Sequence, residues 1–516
     1  MNDPGTRRWW ALGALALSLL VVGLDLTVLN VALPTLATDL GASTTQLQWF
    51  ANAYNLVWAA VLLPAGLLGD RFGRKRLLLV ALVLFGVASV GCAYAGSAGT
   101  LTAFRTVLGL GAAFLLPLSV SVLPVLFPPQ ERPRAIAVWA TANAVGIPLG
   151  PILGGWLLDH YWWGSVFLIN VPVIAVALLA VALLLPESRS SRPPRLDLVG
   201  VLASSLGLAG LTYGVIEAGE GGWGDAGALA AIAAGLLLLA GFVGWQRRLA
   251  RRPDGQPLVD LSLFRSAGFT WGALLATLVS FAMFGVLFTM PQYFQAILGA
   301  DALGSGLRLL PLVGGLLVGA QAAGRISPRA GARVTIAVGF ALLAAGLFAG
   351  ATTGVQAGYG FAAAWFTLVG LGMGFALPTA MDAAIGALST ERSGVGSGLI
   401  MALRALGGTI GVALLGTVLN AAYQSRLELG GLPPAAAGAV RDSVAGGVAV
   451  ARQLGSAPLL DSVRAAFVHG MGTMLWVCGG VALAGLVLAL AFLPRRAAVE
   501  AAEAVGASSE DERVAL

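Results

Sequence analysis

Apolar residues in this chain fall in long unbroken runs separated by short polar links, not in alternating patterns. Fourteen runs are predicted, at residues 10-34, 46-69, 77-96, 100-126, 135-157, 165-186, 197-217, 226-246, 268-290, 304-324, 333-352, 358-382, 394-420 and 470-493. Unbroken runs of this length read as helices, since half-buried strands alternate. At about 1.5 Å per residue each can cross a hydrocarbon core of about 30 Å. Backbone polar groups in lipid are satisfied only by helices or closed barrels. The expected fold class is therefore an all-α integral membrane protein with 14 transmembrane helices. Two segments are not expected to span. In 421-469 the best apolar run, 443-451, is too short, and Pro433-Pro434 breaks any helix early in it. Residues 495-516 form a polar tail.

A weak internal repeat organises the runs. Setting Gly73 over Gly331 aligns the loop after span 2 with the loop after span 10, and Gly66 and Arg71 then match Gly324 and Arg329. Both loops join the second and third spans of a six-span set if spans 7 and 8 are an insert. The expected division is a six-helix bundle over 1-190, two inserted helices over 191-250, a second six-helix bundle with the long external loop over 251-494, and a tail from 495. Parallel six-helix halves that hold substrate near the midplane are a transporter plan.

Composition agrees with the pattern. The chain is 58% hydrophobic and 10% charged, with mean hydropathy +0.87, against about 45–50% and 25% in soluble domains. The net charge of +6 does not imply nucleic-acid binding, because the arginines lie scattered in short links and form no basic face. Their placement reads as topology. With the N-terminus inside, cytoplasmic segments hold 23 of the 30 Lys and Arg, including Lys75, the only lysine. Arg105, Arg308 and Arg404 fall in spans, and the other four lie in 421-469. The short external loops hold Asp39, Asp159, Glu220, Asp225 and Asp301 but no Lys or Arg. This bias predicts cytoplasmic N- and C-termini. The N-terminus imitates a signal peptide, but its apolar run is too long for one and Asp25 interrupts it, so a retained first span is expected. Cys92 and Cys478 both fall in spans and argue no disulfide framework.

Few residues can carry chemistry. Asp25 lies inside span 1, where a carboxylate costs several kcal/mol and should face the bundle or a water cavity. There it could bind and release a proton, or simply pair with an arginine or a neighbouring helix. Arg105 in span 4 is its nearest plausible counter-charge, unless it snorkels to the nearer face. Asp382 closes span 12 and is either a second titrating group or an interfacial helix-end carboxylate. In span 5, Gly146, Gly150 and Gly154 recur every fourth residue beside Gly155, with Pro148 and Pro151 between them. That face suits close helix approach, and the prolines suit bending. Gln48, Asn52 and Asn55 make a polar stripe on span 2, able to line a substrate path or to bond a neighbouring helix. Phe281, Phe284 and Phe288 make an aromatic stripe on span 9, either packing or an adaptable cavity wall. Trp58 carries the same alternatives, and Asn143 is a further candidate for the substrate cavity. In the basic loop, Asp70 can meet a helix N-terminus as a latch, or stay solvated.

Other chemistry lacks its residues. Lys75 is followed by Arg76, so no phosphate-binding Gly-x-x-x-x-Gly-Lys-[Ser/Thr] exists, and His160 and His469 form no metal motif. No cofactor, resident metal, ATPase subunit or enzymatic activity is expected.

These stretches together resemble the fourteen-helix drug/proton antiporter group of the major facilitator superfamily, over nearly the whole chain. Leu24–Pro34 resembles the group's first-helix motif, with Asp25 as its aspartate. Gly66, Asp70, Arg71, Gly73 and Arg74 resemble the loop motif. Arg105, Gly109 and Gly111 resemble the fourth-helix motif associated with proton transfer, and Gly146–Gly155 the helix-5 antiporter motif. Phe167-Leu-Ile-Asn-Val-Pro172 and Arg404-Ala-Leu-Gly-Gly408 also fit. Residues 162-166 read Trp-Trp-Gly-Ser-Val, where such proteins usually carry a Trp-Arg-Trp-type stretch. The resemblance implies a proton-driven exporter of drugs, antibiotics or similar amphipathic small molecules in a bacterial plasma membrane. Its partners would be substrate, protons and the lipid bilayer. The alternatives are an importer or uniporter of a small metabolite, or a membrane ligand sensor that does not transport.

Overall fold

The computed structural model describes residues 4–494, apart from 129, 190–196, 223, 253–254, 256, 389 and 431. The expected tail from 495 lies outside the described residues. Helices dominate, and no strand occurs among the described residues. The first seven are α1 (Pro4–Asp39), α2 (Thr44–Phe72), α3 (Arg74–Ala93), α4 (Ala98–Leu126), α5 (Arg132–His160), and the broken pair α6 (Ser165–Leu168) and α7 (Asn170–Leu184). The hairpin α8 (Leu198–Gly221) and α9 (Ala226–Ala250) follows. Then come α10 (Ala267–Ala296), α11 (Ala302–Leu307), α12 (Leu310–Ala330), α13 (Ala332–Ala351), α14 (Tyr359–Ile385) and α15 (Thr390–Ser425). Two short helices, α16 (Pro434–Asp442) and α17 (Val444–Gln453), lead to α18 (Ala457–Phe492).

Twelve helices among the described residues are long and apolar enough to cross a membrane, or thirteen if Thr44–Leu62 and Pro64–Phe72 form one broken span. This count, made of the described residues, does not confirm the expected fourteen. The fifth expected span is a single 29-residue helix that falls outside this count, because several of its side chains, Asn143 and Pro148 among them, lie outside the described residues. The largest departure from expectation is near the C-terminus. Residues 421–469 are mostly helical: α15 runs on to Ser425, α16 and α17 fill the middle, and α18 begins at Ala457 instead of 470. Pro434 opens α16, where its missing N–H is no loss. Ser443 and Ser456 cap α17 and α18 by accepting from the N–H groups of Gly446 and Leu459.

Buried apolar side chains form two large clusters. One runs from Ala11 to Leu185 and takes in Phe288, Ala402, Ala405 and Val412. The other runs from Leu275 to Leu493. The helices between the clusters meet chiefly where α2 packs on α15, α5 on α11 and α1 on α10. The hairpin lies to one side: α8 touches both α2 and α15, while α9 packs on α8. A smaller cluster at the base of α10 gathers Leu263, Phe269, Ala384 and Ile400, with Phe242 of α9 against it.

The aligned loops agree in backbone. Gly73 between α2 and α3 has φ of 107°, and Gly331 between α12 and α13 has φ of 83°. Both sit in the left-handed region that favours glycine, so the loops turn alike in the two halves.

Candidate functional site

Asp25 and Arg105 meet in the first cluster. Asp25 is 0% exposed and Arg105 2%. The guanidinium Nη1 donates to Asp25 Oδ2 at 2.7 Å, and Nε donates to the Phe50 carbonyl oxygen at 2.9 Å. Its plane lies 4.5 Å from the Tyr54 ring centroid, a cation–π contact that holds the arginine independently of the carboxylate. Asn170 Nδ2 reaches Asp25 Oδ1 at 3.5 Å and Ser89 Oγ at 3.4 Å. Arg105 therefore does not snorkel, and four elements position the pair. Gly109 allows this closeness: a Cβ there would lie 2.5 Å from the Tyr54 carbonyl oxygen of α2. Asn170 opens α7 where the helix breaks after α6, which aims its amide inward. Phe50, Tyr54 and Ser89 carried no sequence signal. Asn170 did, inside the Phe167–Pro172 stretch.

The span-5 glycines press on the helix that carries Asp25. A Cβ at Gly146 would lie 2.5 Å from the Leu20 carbonyl oxygen. At Gly150 it would overlap the Thr27 hydroxyl and lie 2.7 Å from the Leu24 carbonyl oxygen, and at Gly154 it would overlap Val28. The other face of α5 meets the second half. A Cβ at Gly155 would lie 2.5 Å from the Ala302 carbonyl oxygen, and one at Gly306 would overlap the Pro151 carbonyl oxygen. α5 stays helical through both prolines. The side chains of Pro148 and Asn143 lie outside the described residues.

Cross-half hydrogen bonds gather at the end of the bundle that carries the α1–α2 loop. Asp159 at the end of α5 accepts the Ala302 and Leu303 N–H groups at 3.0 and 2.9 Å, closing on the N-terminus of α11. Gln295 Nε2 of α10 donates to the Val31 carbonyl oxygen at 3.0 Å. Thr44 Oγ1 donates to the Asp442 carbonyl oxygen at 2.8 Å, tying the α16–α17 corner over the same end.

At the opposite end, Asp70 does not meet a helix N-terminus. It pairs with Arg74, from Nε at 2.9 Å and Nη2 at 2.7 Å. Glu187, beyond α7, takes the N-terminal place instead, accepting the N–H groups of Lys75 at 3.1 Å and Arg76 at 3.3 Å. A Cβ on Gly73 would lie 2.8 Å from Glu187 Oε1, so this glycine serves both turn and cap. Arg71 stacks over Phe72. Gly66 has only an ordinary neighbour, Pro117 at 3.9 Å.

Gln48, Asn52, Asn55 and Trp58 are all buried on α2. Gln48 Oε1, both amide atoms of Asn52, Asn55 Oδ1 and Trp58 Nε1 have no hydrogen-bond partner among the described residues. For those atoms the alternative of bonding a neighbouring helix is not realised. Unpaired buried polar atoms are costly; of these residues Gln48 lies beside Gly416 of α15, where a Cβ would overlap its amide. Thr289 Oγ1 and Tyr293 Oη of α10 and Asn420 Oδ1 of α15 are unpaired in the same way. Phe288 is buried in the first cluster and Phe284 packs against it, whereas Phe281 is buried in the second. The aromatic stripe thus straddles the seam. Asp382 is exposed and lines a cavity of about 870 Å³ with Ser266, Ser327 and Thr379, within the second half and away from Asp25. That placement, exposed near the end of α14, fits the helix-end reading.

The family model described as Major Facilitator Superfamily matches residues 15–412. The chain belongs to the major facilitator superfamily. Among its facilitator relatives is the tetracenomycin C resistance and export protein of Streptomyces glaucescens, 34% identical over 94% of this chain and 91% of that protein. Another is the multidrug efflux pump LfrA of Mycolicibacterium smegmatis, 36% identical over 94% of this chain and 97% of that one. A solved bacterial homologue of the human lysosomal transporter Spinster, inward-facing and unoccupied, superposes with a TM-score of 0.67 at 18% identity, covering 94% of this chain and 98% of that one. That likeness concerns the fold alone. As a facilitator with such relatives, the chain is a multi-pass membrane transporter and not an enzyme.

Proposed function

We propose that this transporter is a proton-coupled antiporter that exports drugs, antibiotics or similar amphipathic small molecules across a bacterial plasma membrane, with both termini in the cytoplasm. The observation that carries the reading is the buried Asp25–Arg105 pair, 2.7 Å apart, whose aspartate sits on the helix that the span-5 glycines grip. A carboxylate with one guanidinium partner has two stable arrangements, ionised and paired or protonated and released. Arg105 survives the second because the Phe50 carbonyl and Tyr54 ring still hold it. The proton on Asp25 can therefore switch how α1 sits against α4 without leaving a wholly unpartnered cation. α1 in turn bears on α5, and α5 bears on α11 of the other half.

The basic α2–α3 loop and the acidic α5–α6 and α10–α11 ends favour the proposed orientation. In it, the end tied by Asp159, Gln295 and Thr44 is external, and this conformer is shut to the outside. Export would proceed by rocking of the two halves about a midplane cavity. The unpaired amides of α2 and the Phe284–Phe288 stripe would offer that cavity polar and aromatic contacts. Asp70, Arg71, Arg74, Gly73 and Glu187 would latch the cytoplasmic side, holding α3 to the end of α7. The proton gradient supplies the energy, and the resistance and export names of the relatives agree with the direction.

The test is Asp25→Asn in proteoliposomes with ethidium and an imposed pH gradient. Wild type should move dye uphill and stop on addition of an uncoupler. The variant should only let dye equilibrate. Uphill transport by the variant would remove Asp25 as the coupling group.

A further inference from the structure

The second half holds its own intramembrane arginine, treated differently from Arg105. Arg404 lies eight residues, roughly 12 Å, into the apolar stretch Gly396–Ser425. Its Nε donates to Ser280 Oγ of α10 at 3.1 Å. Its Nη1 lies 3.6 Å from Met381 Sδ of α14 and 3.5 Å from Met401 Sδ. A hydroxyl is neutral and a thioether is a weak acceptor. Among the described residues no carboxylate pairs with Arg404; the ion pairs there join other groups. Nη2 has no partner among the described residues, and the side chain keeps partial exposure.

Residues beside it reach the seam. Met401, Arg404 and Gly408 share one face of α15. Met401 packs against the first-half cluster, as does Phe284. A Cβ at Gly408 would lie 2.8 Å from the Phe284 ring, so the missing side chain leaves that ring beside the arginine's face. A cation without counter-charge at this depth is costly, and such residues mark ligand pathways. A planar guanidinium also matches an oxyanion with two parallel hydrogen bonds.

We infer that Arg404 is the anion-recognising end of the substrate cavity, taking a carboxylate or phenolate carried on an aromatic body, with Phe284, Met381 and Met401 against that body. The inference deepens the export reading and rests on it for the identity of the occupant. A lipid phosphate offers the same chemistry.

The probe pair is 1-pyrenebutyrate and its neutral analogue 1-pyrenebutanol, bound to purified protein in phosphatidylcholine nanodiscs and read by pyrene fluorescence. Wild type should bind the acid at least tenfold more tightly than the alcohol. Arg404→Gln should abolish that ratio, and Arg404→Lys should keep part of it. If wild type binds acid and alcohol alike, the anion site is wrong, whether or not the variants fold. Equal ratios in wild type and Arg404→Gln also overturn it. If phosphatidylglycerol weakens acid binding to wild type but not to Arg404→Gln, a lipid phosphate competes for the same guanidinium and the anion site stands. Ethidium transport separates the two readings. Gradient-driven ethidium export without acid preference removes the anion site alone, and acid preference without gradient-driven export removes the antiporter alone.

Discussion

Arg105→Gln isolates the energetics of the buried pair. At 2.7 Å and an effective dielectric near 20, the Coulomb attraction of two unit charges is about 6 kcal/mol. Desolvation of both groups offsets much of it, and removing one partner of such a pair typically costs about 3–5 kcal/mol, because the other is left charged and buried. In Arg105→Gln the carboxylate keeps only Asn170, at 3.5 Å, so the loss should fall in that range. Asp25→Asn should cost less, about 2–3 kcal/mol, since the Phe50 carbonyl and Tyr54 ring still partner the cation. The double variant Asp25→Asn/Arg105→Gln removes both charges and can keep an amide–amide bond. It should recover about 2–4 kcal/mol relative to the sum of the singles, the coupling expected of residues in contact. The assay is reversible unfolding of detergent-solubilised protein, with all four proteins measured in one detergent and the double variant also tested for gradient-driven ethidium export, which it should lack. Single losses that add to within about 0.5 kcal/mol would show that the groups do not interact in solution, and the switch built on them would fall.

Three further outcomes follow from the geometry. Gly150→Ala should lose about 1–3 kcal/mol by overpacking and most ethidium export, because its Cβ meets Thr27 and the Leu24 carbonyl; Gly314→Ala, with open space around it, should be silent in thermal unfolding and export. Asp159→Ala removes the acceptor of two N–H groups of α11; it should cost about 1–2 kcal/mol and speed labelling of a Gln295→Cys reporter by a membrane-impermeant maleimide. Asn52→Leu replaces an amide with neither end partnered, so its melting temperature should not fall, while the KM for ethidium should rise several-fold.

What the sequence made legible is what lipid penalises. Asp25 and Arg105 stood out because each was a charge in an apolar run, and each was the other's least costly partner. The span-5 glycines announced a close approach by their spacing, though not that its partner was the stretch of α1 bearing Asp25. The amide stripe faced inward as amides avoiding lipid should. Other features left no such trace. Glu187 caps α3 from more than a hundred residues away, and an exposed glutamate after a span looks like any solvated one. Tyr54 and the Phe50 carbonyl act only once α2 and α4 touch. Residues 457–469 carry Asp461, Arg464 and His469, which dilute the apolar run and hide the start of α18. The amphipathic α16 and α17 are too short for a span pattern to reveal.

The hairpin α8–α9 has a mechanical corollary. α8 holds on to both halves: Tyr213 lies against Trp49 of α2, with ring centroids 6.4 Å apart, and the Val215 carbonyl accepts from Thr417 Oγ1 of α15 at 3.2 Å. At its foot, Asp197 accepts from Trp245 and Gln246, and Gln246 accepts the Val259 N–H, so hairpin and following chain are stapled together. α8 thereby covers the groove between α2 and α15, and under the rocking proposed above it would have to slide on one neighbour or the other. The α5–α11 flank carries no such roof among the described residues. On that flank the two halves meet by direct packing of α5 on α11 instead, so the cover the hairpin provides is one-sided.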